Sequence, residues 1–173
     1  MLAFLLLEFF TIGPESKAAS QDSAAVSKLL SSSKLAAFQL SKDAVEMESL
    51  AEANVSWTSN ADSIEQVRED VNFMGQELAK LDKLKDTASP WQSDAIAKIH
   101  PLLLELASNT TVVIDQLNED PQHFNTSTYR KFVAANADEA GELSKMLANF
   151  VSYGKTKHKF EKLGSRIDVG TAD

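Results

Sequence analysis

There is no cysteine anywhere in the chain. That excludes disulfides, thiolate zinc sites, covalent c-type haem attachment and cysteine nucleophiles. Turn-forming residues are scarce as well: 6 Gly and 4 Pro in 173 residues cannot supply the turn about every ten residues that a sandwich or barrel needs. Cations are outnumbered, 17 Lys and Arg against 25 Asp and Glu, for a net charge of −8. That balance argues against nucleic acid as a partner, because its phosphates demand a basic face.

Catalytic patterns are missing too. No Gly-x-Ser-x-Gly and no Gly-rich phosphate loop occurs. A carboxylate-bridged dimetal bundle needs inward Glu-x-x-His pairs, yet none of His100, His123 and His158 has Glu three residues before it. Asp120 has that spacing to His123 but sits beside Pro121. Haem held by His100 or by Met47, Met74 or Met146 is conceivable in a bundle, but a Met on a helical stripe reads as packing. We therefore expect no catalytic residue, no metal site and no cofactor.

No apolar run reaches the roughly 20 residues that span a bilayer. The most apolar start is Met1–Ile12, broken only by Glu8 and Thr11 and stopped by Gly13-Pro14. Its length suits the apolar region of a signal peptide, and Ala18-Ala19-Ser20 offers a cleavage region before Gln21. No Lys or Arg precedes the run, unlike an ordinary signal peptide. Export is the expectation; a retained membrane-edge anchor through residues 1–12 and a folded N-terminal segment are the alternatives.

What the chain does have is helical periodicity. Roughly over residues 22–53, Val26, Leu30, Ala37, Leu40, Ala44, Met47 and Ala51 form a stripe, blurred by Leu35, Phe38 and Val45 and weakened at Ser31-Ser32-Ser33, where a kink would fit. A cleaner stripe follows in Trp57, Ala61, Ile64, Val67, Val71, Met74, Leu78 and Leu81. Ser89-Pro90-Trp91-Gln92 opens the third helix as N-cap, first-turn proline and capping-box glutamine. Its stripe is Ala95, Ile99, Leu103, Leu106, Thr110, Val113 and Leu117, with a bend predicted near Ala97–Pro101. The fourth starts near Thr126 or Ser127 and runs through Tyr129, Phe132, Val133, Asn136, Ala140, Leu143, Leu147, Phe150, Val151 and Gly154 to an end at Gly164. The reading is all-α: an up-down-up-down four-helix bundle over residues 21–167, preceded by a short apolar segment, 1–20, and followed by a flexible tail, 168–173.

Polar residues on these stripes need a reason. Ser108-Asn109-Thr110-Thr111 interrupts the most apolar stretch; Asn136 lies on the fourth stripe and Asn72 flanks Val71 on the second. We expect Asn72, Asn109, Thr110 and Asn136 to form a buried hydrogen-bonded layer that rejects slipped helix registers. Ordinary boundary positions and a ligand-contacting pocket are the alternatives. Asn54, Asn109 and Asn125 each head a glycosylation sequon, but a mid-helix seam is a poor place for a glycan. At the other end, Lys155, Lys157, Lys159 and Lys162 could meet an anionic partner or lipid headgroups; the plainer reading is a solvated helix terminus whose cations complement the helix dipole.

The stretches PWQSDAIAKIHPLLLELASNTTVVIDQLN and YRKFVAANADEAGELSKMLANFVSYGKTKHKFEKL resemble a group of small exported helical bacterial proteins of unknown function, chiefly acidobacterial. The resemblance spans roughly Trp57 to Leu163, and Tyr153 to Lys157 is its most distinctive part. It implies a helical bundle and an extracytoplasmic (periplasmic or secreted) location, and brings no activity or site residue with it. The expectation is a non-enzymatic extracytoplasmic bundle acting through its surface on protein partners. The rivals are a bundle that binds a cofactor or small ligand, and an accessory subunit of a membrane complex held by its N-terminus.

Overall fold

A computed structural model of the chain describes residues 21–169. It contains α1 (Ala24–Glu52), α2 (Trp57–Lys83), a single 3-10 turn (Lys85–Thr87), α3 (Pro90–Glu119) and α4 (Ser127–Val169), with no strand among the described residues. Short connections force sequence neighbours to run antiparallel. α1 packs on α2 and α4, and α3 packs on α2 and α4, so the four helices close into a ring. Four hydrogen bonds, at three places, fix the order of the ends. Ser23 before α1 meets Gln92 at the start of α3, at 2.9 and 3.0 Å. The Trp57 indole at the start of α2 donates to the Leu117 carbonyl near the end of α3, at 2.9 Å. Asn125 before α4 donates to the Ala51 carbonyl near the end of α1, also at 2.9 Å. The topology is up-down-up-down.

Local chemistry explains the boundaries. The hydroxyls of Ser23, Ser56 and Thr126 accept backbone N–H groups from the first turns of α1, α2 and α4, groups that would otherwise lack an acceptor. Gln92 accepts the Ser89 N–H at 2.9 Å, the half of a capping box that holds the start of α3. α1 ends where Asn54 turns left-handed (φ 51°), a conformation that asparagine tolerates better than most residues. Asn54 therefore has a structural task as the helix stop.

Most of the core comes from the stripes read from the periodicity; on them Trp57 is exposed and Ala61, Phe132, Phe150 and Gly154 are half-buried. Every residue named for α1 is buried, as are Ile64, Val67, Val71, Met74, Leu78 and Leu81 of α2 and all seven of α3. In α4 Tyr129, Val133, Ala140, Leu143, Leu147 and Val151 complete it. Leu35, Phe38 and Val45 are exposed on the outer face of α1.

α1 is continuous across Ser31-Ser32-Ser33, where the Ser31 hydroxyl donates back to the Ser27 carbonyl at 2.9 Å, a bond that often bends a helix. α3 is continuous through Pro101; both Pro101 and Ala97, whose carbonyl loses its partner, face solvent, where water can replace the bond. One local expectation is corrected: Gly164 does not end α4, which continues to Val169. None of the described glycines has positive φ, and a helical glycine costs only about 1 kcal/mol relative to alanine. Residues 168 and 169, placed in the tail by the sequence reading, are therefore helical. The apolar segment 1–20 and residues 170–173 lie outside the described residues.

Candidate binding surface at the projecting end of α4

The buried polar groups are spent on packing. Asn136, fully buried, donates to the Thr110 hydroxyl at 3.3 Å, and Thr110 donates to the Leu106 carbonyl at 2.7 Å. Asn109 turns away from them and donates to both oxygens of Glu139, at 3.1 and 3.0 Å. These contacts join α3 to α4 only. Asn72 is exposed on α2 and belongs to no layer, which corrects the three-helix arrangement. One residue past the buried Val71, it is turned about 100° around the helix toward water. The buried asparagine of α2 is Asn60, four residues before Ile64 and so on the stripe. It accepts from the Tyr129 hydroxyl at 3.0 Å and donates to the Ser56 carbonyl at 3.1 Å. Tyr129 is fully buried, and that burial pushes its pKa up to about 12.

Two carboxyl pairs straddle helix interfaces. Burial and the neighbouring Glu105, as a charge and a hydrogen-bond partner, push Glu139 up to about 7. Burial and Asp43 across the α1–α2 interface do the same for Asp70, also to about 7. Asp70 Oδ2 is buried without any other partner, which suits an acid that holds a proton near neutral pH.

At the end where α1 and α3 begin, one residue ties both helices. Gln92 is fully buried; its carbonyl accepts the Ser23 and Ser89 N–H groups at 3.0 and 2.9 Å, and its amide donates to the Ser23 carbonyl and Ser27 hydroxyl, each at 2.9 Å. Beside it the Trp91 indole donates to Asp22 at 2.8 Å and packs edge-on to Tyr153, centroids 5.5 Å apart. Burial works to raise the Asp22 pKa, but donors on Ser89, Lys157 and Trp91 outweigh it and hold this carboxylate below its ordinary value. The Trp91 ring lies over Gly154: a Cβ there would stand 2.6 Å from the ring. Lys157 bonds Asp22 at 3.0 Å and Glu161 at 2.7 Å. It is therefore engaged within the fold, which removes it from the anionic-partner surface expected of Lys155, Lys157, Lys159 and Lys162.

The other three lysines stand on the part of α4 that outruns the bundle. The last buried residue is Val151, and no residue from Tyr153 to Ile167 is buried. Past Lys157, which Asp22 ties to the bundle, about 18 Å of helix remains at the helical rise. Lys155, Lys159, Lys162 and Arg166 recur at four, three and four, which places them on one face. Tyr153, Phe160, Leu163 and Ile167 recur at seven, three and four on the adjoining face, and all are exposed. At the base of this projection an open groove of about 870 Å³ runs between α3 and α4, floored by Trp91, Met146, Phe150 and Tyr153. Lys98 on its rim lies over the Phe150 ring, 5.5 Å from the centroid.

The histidines are dispersed: His100 pairs with Asp82 at 3.0 Å and His123 with Asp120 at 3.1 Å, both on the surface. Among the described residues no cluster of three or more His, Asp or Glu could hold a metal ion, and no helix is long and apolar enough to cross a membrane. No protein family, curated protein or solved structure matches the chain. Sequence reasoning found the basic end and missed Gln92 as a double cap, Asn60 and the pairing of Trp91 with Gly154. Of these only Asn60 carried a signal, its spacing to Ile64.

Proposed function

We propose that the protein is a non-enzymatic binding or structural accessory bundle that works outside the cytoplasm through its surface. The observation that carries this reading is the stretch of α4 past Lys157, an exposed amphipathic segment beyond the contacts that Tyr153, Gly154 and Lys157 make with Trp91 and Asp22. A helix without tertiary contacts is marginal in water, so a 43-residue α4 on a bundle of 27- to 30-residue helices is best explained by something that docks on the excess. The aromatic groove at its base extends the same surface toward α3. The signal-like start at Met1–Ile12 supports the extracytoplasmic part.

The test is crosslinking of the full chain in its native setting, beside variants that alter the projection (Lys159→Glu with Lys162→Glu) or the opposite end (Asp62→Lys). The expected outcome is an assembly lost in the first variant and kept in the second. A lone monomer that turns over substrate would overturn the reading.

A further inference from the structure

The geometry points to an anionic lipid bilayer surface as the partner of the projecting α4 segment, with Tyr153, Phe160, Leu163 and Ile167 entering the headgroup boundary and Lys155, Lys159, Lys162 and Arg166 reaching lipid phosphates. This deepens the surface-binding reading and rests on it.

Four observations select lipid over other occupants. The apolar stripe is narrow and strongly exposed, 68% at Phe160 and at Ile167, and an aromatic and aliphatic stripe beside a row of cations is the pattern of helices that lie in a membrane interface. The cations sit at the stripe's edge, where their alkyl stems can follow the apolar surface while the charged heads reach phosphate. Charge is segregated: Lys155 to Arg166 holds five Lys or Arg and one Glu in a chain of net charge −8. The helix tip stands about 18 Å past Lys157 at the helical rise, beyond the roughly 8 Å screening length of physiological salt, so the negative charge of the bundle is largely screened there. Finally, the part of the chain that carries the apolar residues 2–12 connects to the described structure at Gln21, next to Asp22, which is bonded to Lys157 at the base of the projection. A second copy of the chain is a poorer fit. Pairing two stripes would bring Lys159 and Arg166 against the partner's cations, with no acid on that face to offset them.

The test uses the full chain in co-sedimentation with vesicles of phosphatidylcholine alone and of phosphatidylcholine with about one-third phosphatidylglycerol, near 0.1 M salt. The expected partition onto the anionic vesicles is at least about tenfold higher, and it drops when salt is raised to about 0.5 M. Lys159→Glu with Lys162→Glu should remove the anionic preference. Phe160→Ser with Ile167→Ser should weaken binding about tenfold. All four positions are exposed beyond the bundle, so its folding, read by circular dichroism, should be unchanged. Equal binding by the variants and the parent chain would place attachment on residues 1–20 and overturn the proposal, as would a parent chain that ignores both vesicles. A chain that ignores vesicles yet forms the charge-dependent crosslinked assembly loses the lipid assignment alone. If that assembly is absent too, the surface-binding reading falls with it.

Discussion

Gly154→Ala should destabilise the protein, although the same substitution elsewhere in these helices should stabilise it. A methyl at 154 would lie 2.6 Å from Trp91 Cη2 and 2.9 Å from Cζ2, where non-bonded carbons prefer about 3.5–4.0 Å. The ring must therefore move by about 1 Å. It is not free to do so, because its N–H is bonded to Asp22 at 2.8 Å and its face meets Tyr153 edge-on. Overpacking of this kind costs about 1–3 kcal/mol, and weakening a hydrogen bond to a carboxylate adds up to about 1.5 kcal/mol. Against this, replacing a helical glycine gains about 1 kcal/mol. The net expectation is a loss of up to about 3.5 kcal/mol. Gly75 is the control: nothing lies within 4 Å of its added Cβ, so Gly75→Ala should gain about 0.5–1 kcal/mol. Thermal unfolding followed by circular dichroism separates the two, since about 3 °C of Tm accompanies each kcal/mol at this chain length. If Gly154→Ala raised Tm as Gly75→Ala does, Trp91 would not be seated on α4.

Gln92→Leu removes four hydrogen bonds and leaves the N-termini of α1 and α3 short of acceptors. Urea titration should show a loss of about 3 kcal/mol, and one under about 1 kcal/mol would contradict the double-cap role. Asp70 and Glu139, from ordinary values of 3.8 and 4.5, titrate near 7 when folded, so the folded state holds extra protons between about pH 4 and 7. Stability should fall as pH rises through that window, by about 1 kcal/mol per carboxyl after solvent screening. Asp70→Asn with Glu139→Gln should flatten the decline, and an unchanged slope would refute the assignment. Thr110→Val strands the buried Asn136 amide and should cost about 1–2 kcal/mol, whereas pairing it with Asn136→Leu should recover most of that loss. Asn72→Ala should stay within about 0.5 kcal/mol of the parent in the same titrations.

The helices were legible because each buries one stripe, and a stripe is a property of spacing alone. Val26 through Ala51 could be picked out before any coordinate was known, and the Ser89–Gln92 signal set the start of α3 to the residue. Polar positions were less legible. Asn72 and Asn60 have the same composition and helix, and differ only in the direction that the helical turn gives them. Neighbouring Val71 made the wrong one conspicuous. The function of Gln92 as a cap for α1 was invisible, because it depends on Ser23 arriving from 69 residues away. Gly154 was likewise a stripe position without a reason until Trp91 was seen to lie on it. The basic end was found as a cluster of lysines, yet only packing separates Lys157, held by Asp22, from the lysines that stay on the surface. Gly164 misled because glycine ends a helix only when the chain turns left-handed there, and in α4 it does not.

Hydrogen exchange of the full chain with and without anionic vesicles tests most directly whether α4 past Val151 is the working surface. Without lipid, amides from His158 to Ile167 should exchange far faster than those from Leu143 to Val151, since no tertiary contact protects them. With vesicles they should slow while the bundle stays as it was. Protection of His158–Ile167 equal to that of the bundle core in the free protein, or no slowing on vesicles to which the chain is bound, would contradict it.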